Sequence, residues 1–178
     1  MVKRNLRDVR GSQIVEFALV LPFLVVILVG IFDFGEAFNT KQKLHSAARE
    51  TVRFTANLNS ADLTQGANST SVSAARMVAF DYLRNARMNP CGLDTATPTY
   101  VNYVWTYTTA TGCPGSLVLI IERAVPLTTS EKTLIGSRVT IIYPFKWRFN
   151  TVVTLIAPKS QYPGAVFTMT SQAFMVNL

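Results

Sequence analysis

The most prominent pattern in the chain is an unbroken apolar run near its beginning. No charged residue interrupts Phe17–Phe32, and Pro22, Gly30 and Phe32 lie within this run. At about 1.5 Å per residue, a helix over 14–34 is roughly 30 Å long, the thickness of one hydrocarbon core. The pattern therefore predicts one transmembrane helix.

The charges on either side of the run predict its orientation. Basic residues precede it and two acids, Asp33 and Glu36, follow it. This asymmetry favours a cytoplasmic N-terminus and an extracytoplasmic remainder. A buried core helix and a cleaved secretory signal are the two alternatives. The run is longer than the usual 7–15-residue apolar region of a secretory signal peptide, and no Ala-x-Ala-like cleavage site follows it. Both features count against a cleaved signal.

Helical periodicity continues past the apolar run. Phe34, Phe38, Leu44, Ala48, Val52 and Ala56 recur at steps of about three and four residues. We therefore expect one long helix over 12–57, whose apolar stripe either holds the rest of the chain or faces neighbouring subunits. A polar loop over 57–73 precedes a second amphipathic helix over 71–88, and Asn68-Ser69-Thr70 is interpreted as a loop and helix cap rather than a glycosylation site.

The last ninety residues change to the period of β-strands. Four β-branched and aromatic segments are bounded by Gly and Pro: 101–107, 116–123, 138–145 and 166–176. Strands that follow one another without helices predict an antiparallel sheet of about four strands packed on the long helix. The expected class is α+β with a long N-terminal helix and a pilin-like outline, and residues 146–164 are expected to be an irregular connection or a short extra strand.

The two cysteines lie in turn-rich segments after the second helix. A bridge between Cys91 and Cys113 would close a loop of about 23 residues and stabilise the fold by roughly 3 kcal/mol. An extracytoplasmic compartment is oxidising, so a disulfide is expected. Two free thiols or an intersubunit link are the alternatives.

Signatures of catalysis, metal binding and nucleic-acid binding are missing from the sequence. The single histidine, His45, lies on the amphipathic helix and is interpreted as a polar residue with satisfied hydrogen bonds rather than a base. No phosphate loop, dinucleotide fingerprint or nucleophile elbow is present, so no catalytic residue, metal site, cofactor or small-molecule substrate is expected. The net charge is +7, but four cations lie in the first ten residues, and no basic stripe interleaved with aromatics suggests nucleic acid.

Glu16 is the unusual residue. Placing a carboxylate at the start of a membrane-spanning helix costs free energy unless a cation lies nearby. Arg10 is one candidate partner, and lipid headgroups are another. A cut after Gly11 would supply a third, the free α-amine of Ser12, and would make Glu16 the fifth residue of the mature chain.

These residues resemble a prepilin peptidase site, Gly11-Ser12-Gln13-Ile14-Val15-Glu16-Phe17. With Gly30-Ile-Phe-Asp-Phe-Gly35 and Ala47-Ala48-Arg49-Glu50-Thr51-Val52-Arg53-Phe54, the first 55 residues resemble the TadE-like family, minor pseudopilins of the Tad (Flp, type IVb) pilus. Phe17 and Phe54 stand where the family also uses Tyr. Asp33, Gly35, Ala48, Arg49, Glu50 and Arg53 fall on the family motif along the helix.

The resemblance implies a pilus subunit with three parts. Residues 1–11 are a basic leader that a prepilin peptidase removes, residues 12–57 are the anchor helix, and residues 58–178 are a periplasmic α+β head. The implied partners are the lipid bilayer, the prepilin peptidase, other minor and major pilins and the inner-membrane pilus platform, with possible incorporation into a surface pilus. The alternatives are an uncleaved single-span protein that presents a periplasmic binding domain, and an adhesin head.

Overall fold

The computed structural model describes residues 6–59, 61–128, 133–147 and 166–177, and the predicted connection over 146–164 lies mostly outside these ranges. Two α-helices, a short 3-10 helix and five strands follow one another along the chain. Their bounds are α1 Leu6–Ala56, the 3-10 helix Leu63–Asn68, α2 Thr70–Asn85, β1 Pro98–Val101, β2 Val104–Thr109, β3 Leu117–Thr128, β4 Thr133–Lys146 and β5 Val166–Val176. The predicted α+β class is confirmed.

The strands form one antiparallel sheet in which each strand pairs with its neighbours in sequence, in the order β1-β2-β3-β4-β5. The prediction of about four strands was one strand short. The segment predicted as a single strand over 101–107 is a hairpin, because Asn102 and Tyr103 both have positive φ and Val101 pairs with Val104. Two consecutive positive φ values are the geometry of a tight two-residue hairpin turn. The alternation of aromatic residues continues through this turn and conceals it.

The chain divides into two compact units. The first contains Met1–Glu36 and Trp147–Ala165, and the second contains Ala37–Lys146 and Val166–Leu178. In the described part of the first unit, the rings of Phe34 and Trp147 meet edge to face at 5.3 Å. Residues 37–56 of α1 therefore belong to the same unit as the sheet.

The core of the second unit lies between the helices and one face of the sheet. Alternate residues of the central strands are buried there, as the strand period requires. They are Trp105, Tyr107, Leu117, Leu119, Ile121, Val139 and Ile141. From α1, the residues Leu44, Ala48, Val52 and Ala56 are buried, whereas Phe34 and Phe38 are 69% and 72% exposed. The predicted apolar stripe thus holds the sheet only from Leu44 onwards.

Helix α2 covers the same core with Val72, Ala75, Ala79 and Leu83. It begins at Thr70 because the hydroxyl of Ser69 accepts a hydrogen bond from the backbone of Val72, which satisfies one orphan donor of the first turn. The triplet Asn68-Ser69-Thr70 therefore caps a helix, as the sequence predicted. The polar segment before it contains the 3-10 helix that the sequence did not predict.

Candidate assembly helix

The residues predicted for peptidase processing all lie on α1 in the first unit. Gly11, Ser12, Glu16 and Phe17 are exposed. Ser12 and Glu16 are four residues apart, so they lie on one face of the helix, separated by one turn, about 6 Å along the axis. The helix thus places the carboxylate next to the position where a cut after Gly11 would create an amine.

The span that follows is apolar and exposed around its circumference. Large side chains point outward along its length: Ile14, Val15, Phe17, Leu19, Val20, Phe23, Ile27, Ile31 and Phe32. An exposed apolar surface of this kind marks contact with lipid or with a protein partner. In the described part of the chain, α1 is the one helix that is long and apolar enough to cross a membrane.

Two glycines of this helix have no packing role within the described chain. A Cβ built on Gly30 or Gly35 would meet no atom within 4 Å, and the same is true of Gly11. Glycine in a helix interior costs about 1 kcal/mol relative to alanine. A reason for glycine here must therefore lie outside the contacts described, such as the close approach of another helix or of an enzyme.

Of the remaining residues on the predicted motif, two are buried and three are exposed. Asp33 is 3% exposed and Ala48 is fully buried, whereas Arg49, Glu50 and Arg53 are exposed. None of these three charged residues makes an ion pair or side-chain hydrogen bond with another described residue. They therefore lie on the solvated face of α1.

His45 lies on the exposed side of α1, and its Nδ1 is 3.4 Å from Oγ of Ser171 on β5. This contact agrees with the interpretation of His45 as a polar residue with satisfied hydrogen bonds. In the described parts of the chain, no group of three or more His, Cys, Asp or Glu residues is arranged to hold a metal ion.

The predicted disulfide is present in the second unit. Cys91 and Cys113 are bonded, with their Cα atoms 5.4 Å apart. The bridge joins the loop after α2 to the connection between β2 and β3. Three hydrogen bonds join the same segments: Thr109 Oγ1 donates to Cys91 O at 2.5 Å, Thr111 N donates to Cys91 O at 3.0 Å, and Asn89 Nδ2 donates to Gly112 O at 2.7 Å.

A buried arginine that was not predicted from the sequence contacts the residues just after α1. Arg123 on β3 is 3% exposed, and its Nη2 donates a 3.1 Å hydrogen bond to the carbonyl of Leu58. Its Nε and Nη1 have no hydrogen-bond partner among the described residues. Burial lowers the pKa of Arg123, and the nearby carboxylate of Asp62 opposes that shift. The alternation of inward and outward residues along β3 could have identified Arg123 as buried, because Arg123 follows Leu119 and Ile121 at every second position.

Asp62 itself is held by the start of α2. Its carboxylate accepts hydrogen bonds from Ser71 N at 2.6 Å, Ser71 Oγ at 2.8 Å and Ser69 Oγ at 3.0 Å. Burial would raise the pKa of Asp62, but these hydrogen bonds outweigh it and the pKa is lowered. The carboxylate thus joins the loop after α1 to the first turn of α2.

The TadE-like protein family model matches residues 11–53 of this chain. Residues 11–53 are a TadE-like segment. The match begins at the glycine of the predicted cleavage site and ends at the last arginine of the exposed motif. No curated protein and no solved structure matches the chain.

TadE-like proteins belong to Tad pilus systems, and the family is structural rather than enzymatic. The TadE-like segment contains the exposed large apolar side chains of α1 from Ile14 to Phe38, and also the buried residues Leu44, Ala48 and Val52. It ends before α2 and the sheet, so the similarity to the family is a similarity of α1.

Proposed function

We propose that the protein is a minor pseudopilin, a membrane-anchored structural subunit in the assembly of a Tad-type (type IVb) pilus. The observation that carries this proposal is the spacing of Gly11 and Glu16 at the start of an exposed apolar helix, inside the TadE-like segment. An anchor that only tethers a domain needs neither residue. The proposed work of the protein is assembly, and no catalytic step is assigned to it.

In this proposal a prepilin peptidase cuts after Gly11, where the absence of a side chain leaves room for the enzyme. The new amine of Ser12 and the carboxylate of Glu16 then neutralise each other, within one chain or between neighbouring subunits. Pairing lowers the cost of placing both charges in a low-dielectric environment and sets the axial register of the helices. The glycines at 30 and 35 allow other helices to approach closely.

The proposed location is the bacterial inner membrane, with the N-terminus in the cytoplasm and the head in the periplasm. The cations before the span and the acids after it support this orientation. The disulfide supports an oxidising compartment for the head. The proposed partners are lipid, the prepilin peptidase, other pilins and the pilus platform.

Replacing the carboxylate of Glu16 by an amide tests the assembly role. In Glu16→Gln, the amount of protein in sheared pili should fall about tenfold or more, because the Ser12 amine is left without its counter-charge. The measurement is the ratio of the subunit in the pilus fraction to the subunit in the membrane fraction, by immunoblot.

Asp81→Asn is the matched control, since Asp81 is an exposed carboxylate on α2, outside the TadE-like segment, and pairs with the exposed Arg84 at 3.4 Å. It should leave the ratio unchanged. Normal incorporation of Glu16→Gln would count against the pseudopilin assignment and favour an uncleaved anchor that presents a periplasmic domain.

A further inference from the structure

The two edges of the sheet differ in how they are covered. The β1 edge is short, begins with Pro98 and contacts the 3-10 helix. There the ring of Tyr100 packs against Gly66, and a Cβ atom added to Gly66 would lie 3.5 Å from that ring. The opposite edge is β5, eleven residues with no charge, no proline and no glycine. Long, uncharged edge strands are templates for pairing with another chain, and proteins normally shorten, charge or cover them.

Among the residues that the structure describes, the backbone of β5 pairs with a strand on one side only. Asn177 N donates to Ile135 O at 3.0 Å, so the odd-numbered residues direct their backbone groups toward β4. In an antiparallel ladder the intervening residues direct theirs the other way. Those residues are Val166, Thr168, Thr170, Gln172, Phe174 and Val176. Among the described residues, Lys41 is the one partner of these outward N–H and C=O groups, through a hydrogen bond to the carbonyl of Thr170.

The side chains of β5 also suit an added strand. Thr168, Thr170 and Gln172 form an uncharged polar row on the outer face of the sheet, and all three are exposed. On the helix-facing side, Met169 and Ser171 are buried, whereas Phe167 and Met175 near the two ends are 54% and 38% exposed. An extended neighbour would cover both exposed ends and leave the polar row in solvent.

Lys41 of α1 occupies the middle of this edge. Its ammonium group donates to the backbone carbonyl of Thr170, one of the outward groups. A lysine at a strand edge is a common protection against unwanted pairing. A long side chain that caps one carbonyl moves aside more easily than a covering helix does, so the protection is reversible.

The β1 edge of a second copy is a poor partner for β5, because it is short, contacts the 3-10 helix and begins with a proline. Pairing of β5 with the β5 strand of a second copy would give a dimer without any peptide, and the test below separates that case from binding of a partner segment.

We infer that the open edge of β5 binds an extended, uncharged segment of a partner polypeptide by strand addition, and that Lys41 guards this edge. The segment is about eleven residues long, matching β5, and carries apolar side chains toward Phe167 and Met175. This inference does not depend on cleavage after Gly11, so its failure and the failure of the proposed function are distinguishable.

The test uses the full-length protein in detergent micelles and a fluorescent synthetic peptide with the sequence of residues 166–176, flanked by lysines for solubility. A free peptide is not tied to a membrane and can pair in either direction. Binding is measured by anisotropy, and the site is identified by hydrogen exchange. The amides of Thr168, Thr170 and Gln172 should become protected, while those of Met169 and Ser171, already bonded to β4, should not change.

Variants at the edge separate strand addition from other binding. Gln172→Pro removes one outward N–H without touching the ladder to β4, and should weaken binding about tenfold or more, while Gln172→Ala should not. Thr168→Pro provides a second such change if Gln172→Pro fails to fold. Lys41→Met should tighten binding about fivefold, the value of one net hydrogen bond.

Three results would overturn the inference. They are the absence of peptide binding to both the native protein and Lys41→Met, equal binding by Gln172→Pro and Gln172→Ala, and a peptide-independent dimer that Gln172→Pro abolishes. The last result would assign the edge to a second copy of the chain.

Discussion

At the scale of single residues, the charges fall into two groups with different surroundings. Glu16, Arg49, Glu50 and Arg53 are exposed on α1. Arg123 and Asp62 instead hold the head together at the C-terminal end of α1. The sequence indicated Glu16 through its position before the apolar run, and it indicated the other three through the resemblance to the TadE-like family. The alternation of β3 places Arg123 inward, but the partners of Asp62 and Arg123 could not be predicted because they are set by tertiary packing.

The lowered pKa of Asp62 predicts a pH-dependent stability of the head. A carboxylate whose pKa is lower in the folded state stabilises the fold above its unfolded pKa, near 3.8. This contribution is lost as the pH falls from about 4 through the lower folded value. Asp62→Ala should therefore destabilise the head by about 1–2 kcal/mol at pH 7 and by less at pH 2.

Urea unfolding at the two pH values, followed by tryptophan fluorescence, measures this difference. Asp81→Ala is the control, since Asp81 makes only an exposed pair with Arg84 on α2, at 3.4 Å. An equal loss for both variants, or a loss for Asp62→Ala that does not depend on pH, would contradict the assigned role of the Asp62 hydrogen bonds.

At the scale of elements, the long helix, the second helix and three of the strands follow from hydrophobic periodicity. The apolar run and the stripe from Phe34 to Ala56 predicted α1, and β-branched segments predicted β3, β4 and β5. The β1–β2 hairpin was missed because Asn102-Tyr103 contains no glycine to mark a turn that needs two positive φ values. The pairing of Cys91 with Cys113 was predictable because the sequence contains only these two cysteines.

The strained turn between β1 and β2 makes a prediction of its own. Tyr103 has φ of 62°, a conformation that glycine adopts without steric cost. Tyr103→Gly creates Asn-Gly, the preferred pair for this turn, and should stabilise the head by about 0.5–1 kcal/mol. Thermal unfolding of the purified protein measures the change.

Tyr103→Ala is the matched control, because it removes the same ring but keeps the Cβ atom. It should not raise the midpoint of unfolding. If glycine and alanine at this position had the same effect, backbone strain at Tyr103 would not limit the stability of the turn.

At the scale of the whole molecule, one helix serves two roles. Its first part is apolar and exposed, and its residues from Leu44 to Ala56 contribute to the core of the second unit, so the TadE-like segment includes both the candidate membrane span and most of this buried stripe. The sequence predicted a helix with two such parts, but it placed the start of the packed stripe at Phe34, and Phe34 and Phe38 are exposed. The unequal edges of the sheet could not be predicted, since they depend on strand order and on where the 3-10 helix packs.

The most direct test of the pseudopilin assignment is intact mass with N-terminal sequencing of the protein extracted from its native membrane. Cleavage after Gly11 predicts a chain that begins at Ser12, with Glu16 at its fifth position. A chain that still begins at Met1 in assembled, piliated cells would contradict the account, because the Ser12 amine that Glu16 is proposed to pair with would not exist.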